Sequence, residues 1–310
     1  MNDNINGNLP LLIVILGPTA VGKTEMAFKL AQKLNTEIIS ADSMQVYKEI
    51  NICNAKPNKQ ILNRVKHHLV DDISVTENYS VVKFTNKAKE IIKNLHNKNK
   101  PIIISGGTGL YINALLNNYQ FEEKNIYEFE EEHYNKNLYQ KLVKMDPESA
   151  KIINPNDKKR IIRALSFFNQ FKKSITCQIK NTYENNQVNY RTIRIGLNFK
   201  DRQILYKKIN DRVDLMIKKG LLQEVVDLKS NYKLSKTAEE AIGLKEIFSF
   251  LDKEIKFEEA IEKIKINTRR YSKRQITWFK RDNKIHWFYL DESKTEVIYK
   301  EILNLLTSQI

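Results

Sequence analysis

Gly17 to Thr24 of this chain read GPTAVGKT and satisfy G-x-x-x-x-G-K-[ST] at every fixed position. Residues of these types at this spacing suit a phosphate. Gly17 and Gly22 let the backbone turn its N–H groups inward, and Pro18, Thr19, Ala20 and Val21 carry the chain around the anion. Lys23 supplies a cation, Thr24 a hydroxyl for Mg²⁺, and the helix that follows its positive end. A chance Gly-rich turn explains less, because the apolar run Leu11 to Leu16 precedes the loop as a buried strand and amphipathic Glu25 to Leu34 follows it. A diphosphate or triphosphate is expected here; the loop alone does not choose the ester.

Asp42 stands at the tip of the next strand candidate, Glu37 to Ser40. From there a carboxylate can bind Mg²⁺, hold a substrate hydroxyl, accept a proton, or simply cap a short helix over Ser43 to Tyr47. Thr108, in the tight turn Gly106-Gly107-Thr108-Gly109, can offer a hydroxyl and amides to an anion or a base edge, or serve a turn packed under the sheet. His67 and His68 lack i, i+4 metal spacing and read as packing or hydrogen-bonding residues. Basic charge gathers late: Lys265, Arg269, Arg270, Lys273, Arg274, Lys280, Arg281 and Lys284 stand against the single acid Asp282, with Tyr271, Trp278 and Phe279 interleaved. Cations beside rings suit single-stranded RNA. Burial is the better reading of Trp278 and Phe279 taken singly. A second basic cluster, Lys158, Lys159, Arg160 and Arg163, lies mid-chain.

The elements that must position these groups alternate. Leu11–Leu16, Glu37–Ser40 and Pro101–Ser105 read as strands, and helical spacing follows the loop, spans Ser80 to Lys98, and resumes near Leu110, so the sheet should be parallel. Asn51 to Asp72 looks irregular. From Asn117 to Asn189 the sequence is charged and strand-poor, with an acidic run at Glu128 to Glu132 that reads as a solvated helix face. Thr192–Phe199 returns as a strand, Asp201 to Trp278 is helical, and Ile285–Tyr289 is the last strand candidate. The expected architecture is α/β: a P-loop NTPase-like parallel sheet flanked by helices, built from residues 1–116 and 190–310, with an all-helical insertion over 117–189.

The chain has 310 residues, 41% hydrophobic and 29% charged, an ordinary globular composition with room for two units. Its 52 Lys and Arg against 37 Asp and Glu leave +15, which favours a polyanionic partner, although a Lys- and Asn-rich proteome bias contributes. Two distant cysteines, Cys53 and Cys177, exclude a disulfide framework or zinc knuckle and suit a reducing cytoplasm. No run approaches the ~20 apolar residues of a membrane span.

Taken together, these segments resemble the tRNA dimethylallyltransferases, also called tRNA isopentenyltransferases. The matching pieces are GPTAVGKT at Gly17–Thr24, ISADSMQVYK at Ile39–Lys48, AKP at Ala55–Pro57, HHLVD at His67–Asp71 and YSVVKF at Tyr79–Phe84. They continue with SGGTGLYI at Ser105–Ile112, DP at Asp146-Pro147, NDKKRIIRAL at Asn156–Leu165, KINDRVDLMIKKGL at Lys208–Leu221, AIGLKE at Ala241–Glu246 and TRRYSKRQITWFKR at Thr268–Arg281. The match is collinear over nearly the whole chain. A P-loop is shared by many families; this loop with DSxQxY, GGTGLY and RYxKRQxTWF in order is specific.

The resemblance implies transfer of the dimethylallyl group from dimethylallyl diphosphate to N6 of adenosine 37 in the anticodon stem-loop of tRNAs reading codons that begin with U, with release of diphosphate. It implies a bacterial-type, cytoplasmic, monomeric enzyme with a nucleotide-type (ATP-binding-like) P-loop and Mg²⁺ on Thr24. Asp42 becomes the general base, with Thr108 and Arg212 beside it as catalytic groups. tRNA contacts are implied for Asp42, Ser43, Met44 and Gln45, for Lys159, Arg160, Ile161, Ile162 and Arg163, and for Lys273, Arg274 and Gln275. The chain departs from the family pattern at Cys53-Asn54, at Lys66, and in SFFNQFKK at Ser166–Lys173. A P-loop kinase of small metabolites, or an isopentenyltransferase of free nucleotides, would explain the P-loop half equally well but not Lys265 to Lys284.

Overall fold

In the computed structural model, residues 9–119, 138–177 and 189–309 are described. The acidic run at 128–132 lies outside them. The chain divides into two compact units, 1–115 with 189–310, and 116–188.

The first unit is built on a parallel sheet of six strands among the described residues, in the order β3-β2-β4-β1-β5-β6. These are β1 Leu11–Leu16, β2 Ile38–Ser40, β3 His67–His68, β4 Ile102–Gly106, β5 Arg191–Asn198 and β6 Ile285–Tyr289. The central strands are continuous apolar runs because helices cover both faces: Leu12 to Ile15 and Ile102 to Ile104 are fully buried. β1 pairs with β4 at Leu16↔Gly106 and with β5 at Leu16↔Gly196. The P-loop, the Asp42 turn and the Gly106–Gly109 turn therefore all leave the carboxyl ends of neighbouring parallel strands, where ligands of open α/β sheets bind.

Asn51 to Asp72, expected to be irregular, holds a short helix, Lys59–Arg64, and the two-residue β3. Both are too short for periodicity to register; β3 exists because β2 offers its edge at Ile38↔His67. A closing helix, Thr295–Gln309, follows β6 and packs Ile298, Ile302 and Leu306 onto the same core as β1 and β5.

The second unit contains helices Leu138–Met145, Pro147–Ala150 and Lys158–Phe171, joined around Leu142, Ala150, Ile161, Ala164 and Leu165. Asp146 and Asp157 cap their helices by accepting the N–H groups of Ser149 and Arg160, both at 3.1 Å. Among the described residues, no helix is long and apolar enough to cross a membrane.

Candidate active site

The P-loop connects β1 to the helix Lys23–Lys33. Gly17 has φ 145°, and a Cβ there would stand 2.2 Å from the Leu197 carbonyl oxygen on β5, so no other residue fits. Gly22, at φ 102°, is the N-cap and brings no side chain to the first helical amides, leaving that end to an anion. Ala20 sits at φ 65°, a strained conformation held where the loop bends around the cavity.

A cavity of about 290 Å³ opens over this loop, lined among others by Gly22, Lys23, Thr24, Asp42, Gln45 and Arg212. Lys23 Nζ donates to the Pro18 carbonyl at 2.7 Å, which pins the ammonium to the loop it serves. Burial lowers its pKa to about 8; Asp42 acts to raise it and Arg212 to lower it further. The Arg212 guanidinium, from the helix Arg202–Lys218, is likewise pushed down by burial and supported by Asp42. Two desolvated cations thus share one carboxylate, and an entering diphosphate would relieve their mutual repulsion.

A second cavity, of about 250 Å³, shares Thr19, Asp42 and Arg212 with the first. Its other walls are more apolar, with Val213, Met216, Ile264 and Tyr271 among them. Asp42 and Arg212 stand on the boundary. A charged group seated at the P-loop and an apolar or aromatic group in the second cavity would meet beside a carboxylate.

Asp42 does not start a helix. Its Oδ1 accepts the N–H groups of Met44 at 2.9 Å and Gln45 at 3.3 Å, closing an Asx-type turn that holds the carboxylate at the strand tip. Thr108 secures that turn from the other side, its Oγ1 accepting the Ser43 N–H at 3.2 Å. Gln45 bonds Ser40 at 3.2 Å. Asp42, Ser43, Met44, Gln45 and Thr108 are therefore one connected group.

The long helix Phe257–Phe279 completes the site. Ala260, Ile264, Ser272, Gln275 and Phe279 are buried at three- and four-residue spacing, while Arg270, Lys273, Arg274 and Lys280 are exposed. Not all of the tract faces solvent: Lys265 pairs with Asp214 at 2.8 Å and Arg269 donates to Asn210 Oδ1 at 2.5 Å. Arg274 lies 5.7 Å from the Tyr271 ring centroid and lines the second cavity. Gln275 is buried and spends its amide on backbone groups. In the second unit Lys159, Arg160 and Arg163 are exposed and Ile162 is half-buried, whereas Ile161 is a core residue.

Sequence reasoning overlooked Glu224. Its carboxylate accepts the N–H groups of Asn51 at 2.8 Å, Ile52 at 2.8 Å and Cys53 at 2.9 Å, fastening the loop that brings Cys53 and Asn54 to the second cavity. The Cys53 thiol donates to the Ile242 carbonyl at 3.0 Å, and burial holds it protonated. Asn54 donates to the Met44 and Ile50 carbonyls. His67 lines the first cavity, and His68 bonds Glu37 at 2.6 Å. Among the described residues there is no cluster of three or more His, Cys, Asp or Glu side chains for a metal. Thr24 and Asp42 are among the side chains that offer oxygens on the first cavity, a donor set that fits Mg²⁺, which keeps several waters and takes one or two protein oxygens with its phosphates.

Fold and site together define a P-loop α/β protein that brings the cavity over its P-loop and a partly apolar cavity to one carboxylate. The model of the IPP transferase family matches residues 45–282, and the chain belongs to that family. It is 45% identical over 310 residues to a tRNA dimethylallyltransferase of Thermoanaerobacter sp. strain X514, covering 96% of this chain and 98% of that one. Among solved structures, a tRNA isopentenylpyrophosphate transferase of Staphylococcus epidermidis matches with TM-score 0.72 and 38% identity over 96% of this chain and 99% of that one. A eukaryotic dimethylallyltransferase acting on tRNA matches with TM-score 0.79 and 28% identity, covering 96% of this chain and 80% of that one.

Proposed function

We propose that this protein is a tRNA dimethylallyltransferase. It moves the five-carbon group of dimethylallyl diphosphate to N6 of adenosine 37 in the anticodon stem-loop of tRNAs that read codons beginning with U, and releases diphosphate. The observation that carries this reading is the pair of cavities meeting at Asp42 and Arg212, one ending in the P-loop and one walled by Met216, Ile264 and Tyr271.

In this reading the P-loop binds a leaving group. P-loop amides other than those of Pro18, which has no N–H, and Thr19, whose N–H is held by Gln275, join the Lys23 ammonium and the Arg212 guanidinium in taking up negative charge as the allylic C–O bond breaks. Thr24 would hold Mg²⁺, which when bound supplies further neutralisation of the diphosphate oxygens. Asp42 accepts the N6 proton as nitrogen attacks, and the turn amides of Met44 and Gln45 orient its carboxylate. Thr108, Ser43, Met44 and Gln45 position the adenine, whose extrusion from the loop costs least where it is already unpaired. Lys159, Arg160, Arg163 and Lys273 serve as phosphate contacts, and Arg274 acts between RNA and the cavity. The enzyme is cytoplasmic and monomeric in this reading.

The test incubates purified protein with labelled dimethylallyl diphosphate and bulk tRNA, digests to nucleosides, and looks for label in N6-dimethylallyladenosine. Label transferred only to free nucleotides, or phosphate released stoichiometrically from ATP, would sink the reading.

A further inference from the structure

Gln275 lies within the basic tract, yet it is only 6% exposed. Its two amide atoms reach two different loops. Oε1 accepts the N–H of Thr19 in the P-loop at 2.8 Å, and Nε2 donates to the Gly107 carbonyl of the turn that carries Thr108 at 2.9 Å. The contact leaves no slack: a Cβ on Gly107 would stand 2.1 Å from Gln275 Nε2. One turn earlier on the same helix, the Tyr271 hydroxyl lies near the side chains of Thr108 and Gln275.

This arrangement asks for one residue type. A glutamate lacks the donor for Gly107, an asparagine is a methylene short, and Lys or Arg lacks the acceptor for Thr19. The P-loop has to keep its amides turned toward one point, and Thr19, which lines both cavities, is tied to the rest of the site through this side chain.

We propose that Gln275 is a positioning residue for the diphosphate end of the donor, locking the P-loop to the Gly107 turn, and that it makes no contact with RNA. The helix Phe257–Phe279 then has two separate duties: its outer face, with Arg270, Lys273 and Arg274, meets the polyanion, and its inner face sets the shape of the leaving-group site. The inference rests on the reading that the P-loop holds the donor's diphosphate.

The experiment measures binding of inorganic pyrophosphate, with Mg²⁺, and of tRNA, separately, to the full chain carrying Gln275→Met or Gln275→Glu. Steady-state constants for dimethylallyl diphosphate are taken alongside. Gln275→Met keeps length and removes both bonds, so pyrophosphate affinity should fall about tenfold, the scale of one or two buried backbone groups left unpaired. The KM for dimethylallyl diphosphate should rise with it, while tRNA affinity stays unchanged. Gln275→Glu, which sets a buried carboxylate against the Gly107 carbonyl and beside the anion site, should lose at least as much pyrophosphate affinity as Gln275→Met. Lost tRNA affinity with unaltered pyrophosphate binding would overturn the proposal and make Gln275 an RNA contact. Equal losses for both ligands, following a lowered Tm in both variants, would overturn it in favour of core packing. Pyrophosphate binding reads this out whether or not wild type forms product, so the functional reading fails or stands on its own.

Discussion

Gly109 and Trp278 are packed so closely that a Cβ on Gly109 would stand 2.3 Å from Cδ1 of the indole. The turn that bears Thr108 is thereby wedged against the end of the Phe257–Phe279 helix, where the half-buried Trp278 turns its Cδ1–Nε1 edge to Gly109. Gly109→Ala should destabilise the protein by about 1–3 kcal/mol through overpacking, read as a lower Tm. Combining it with Trp278→Leu should remove most of the penalty. An additive double variant would show the two residues to be independent.

Asp42→Asn keeps an Oδ1 acceptor for the Met44 and Gln45 amides, so the turn should survive while the proposed base is lost. Transfer should slow by about 10²–10⁴ in single turnover, the range of a general base, with tRNA affinity unaltered. A near-normal rate would assign the base elsewhere.

Lys23 titrates at about 8 in the folded chain against an ordinary 10.5. Between these values the unfolded chain holds a proton that the folded one has released, so folding stability should rise with pH across that window. Binding of diphosphate favours the ammonium and should draw a proton in over the same window. Calorimetry with pyrophosphate in buffers of different ionisation enthalpy should register that uptake above about pH 8 for wild type and not for Lys23→Arg, whose charge does not titrate. Uptake in both proteins would place the proton on another group.

Glu224→Ala leaves three loop amides, those of Asn51, Ile52 and Cys53, without their carboxylate. A stability loss of about 1–3 kcal/mol is expected, since hydrogen bonds to a charged acceptor are among the stronger ones. Because this loop carries Cys53 and Asn54 to the second cavity, KM for dimethylallyl diphosphate should rise as well, and Glu224→Gln should recover part of both. Unchanged KM with reduced Tm would confine Glu224 to folding.

Lys273 and Arg274 are adjacent in sequence but differ in surroundings: both are exposed, yet only Arg274 lines the second cavity beside Tyr271. Each Ala substitution should flatten the salt dependence of tRNA affinity by up to ~0.7 in log–log slope, the value for one contact to single-stranded RNA. Only Arg274→Ala should also lower kcat. A slope untouched by Lys273→Ala would remove that residue from the RNA-binding face.

The parallel sheet was legible because its strands are buried on both faces and so read as unbroken apolar runs in Leu11–Leu16 and Ile102–Ile104. The phosphate loop was legible because its glycines answer to local backbone geometry. A collinear set of motifs carried the family. β3 and the Lys59–Arg64 helix were not legible, since two to six residues give no period and β3 depends on an edge supplied by Ile38 and Ile39.

The amino-acid sequence by itself determined where a phosphate turn can form, which faces of its helices are apolar, and that positive charge collects along Lys265 to Lys284. Only the tertiary structure decided which of those charges meet solvent, that Ile161 belongs to a core, and that Gln275 turns inward to Thr19 and Gly107, 256 and 168 residues away. The reason is physical. A turn or an amphipathic face follows from dihedral preferences and burial within a few residues. A buried side-chain amide bonded to two backbone groups has no local signature, because the need it answers belongs to loops that the sheet alone brings together.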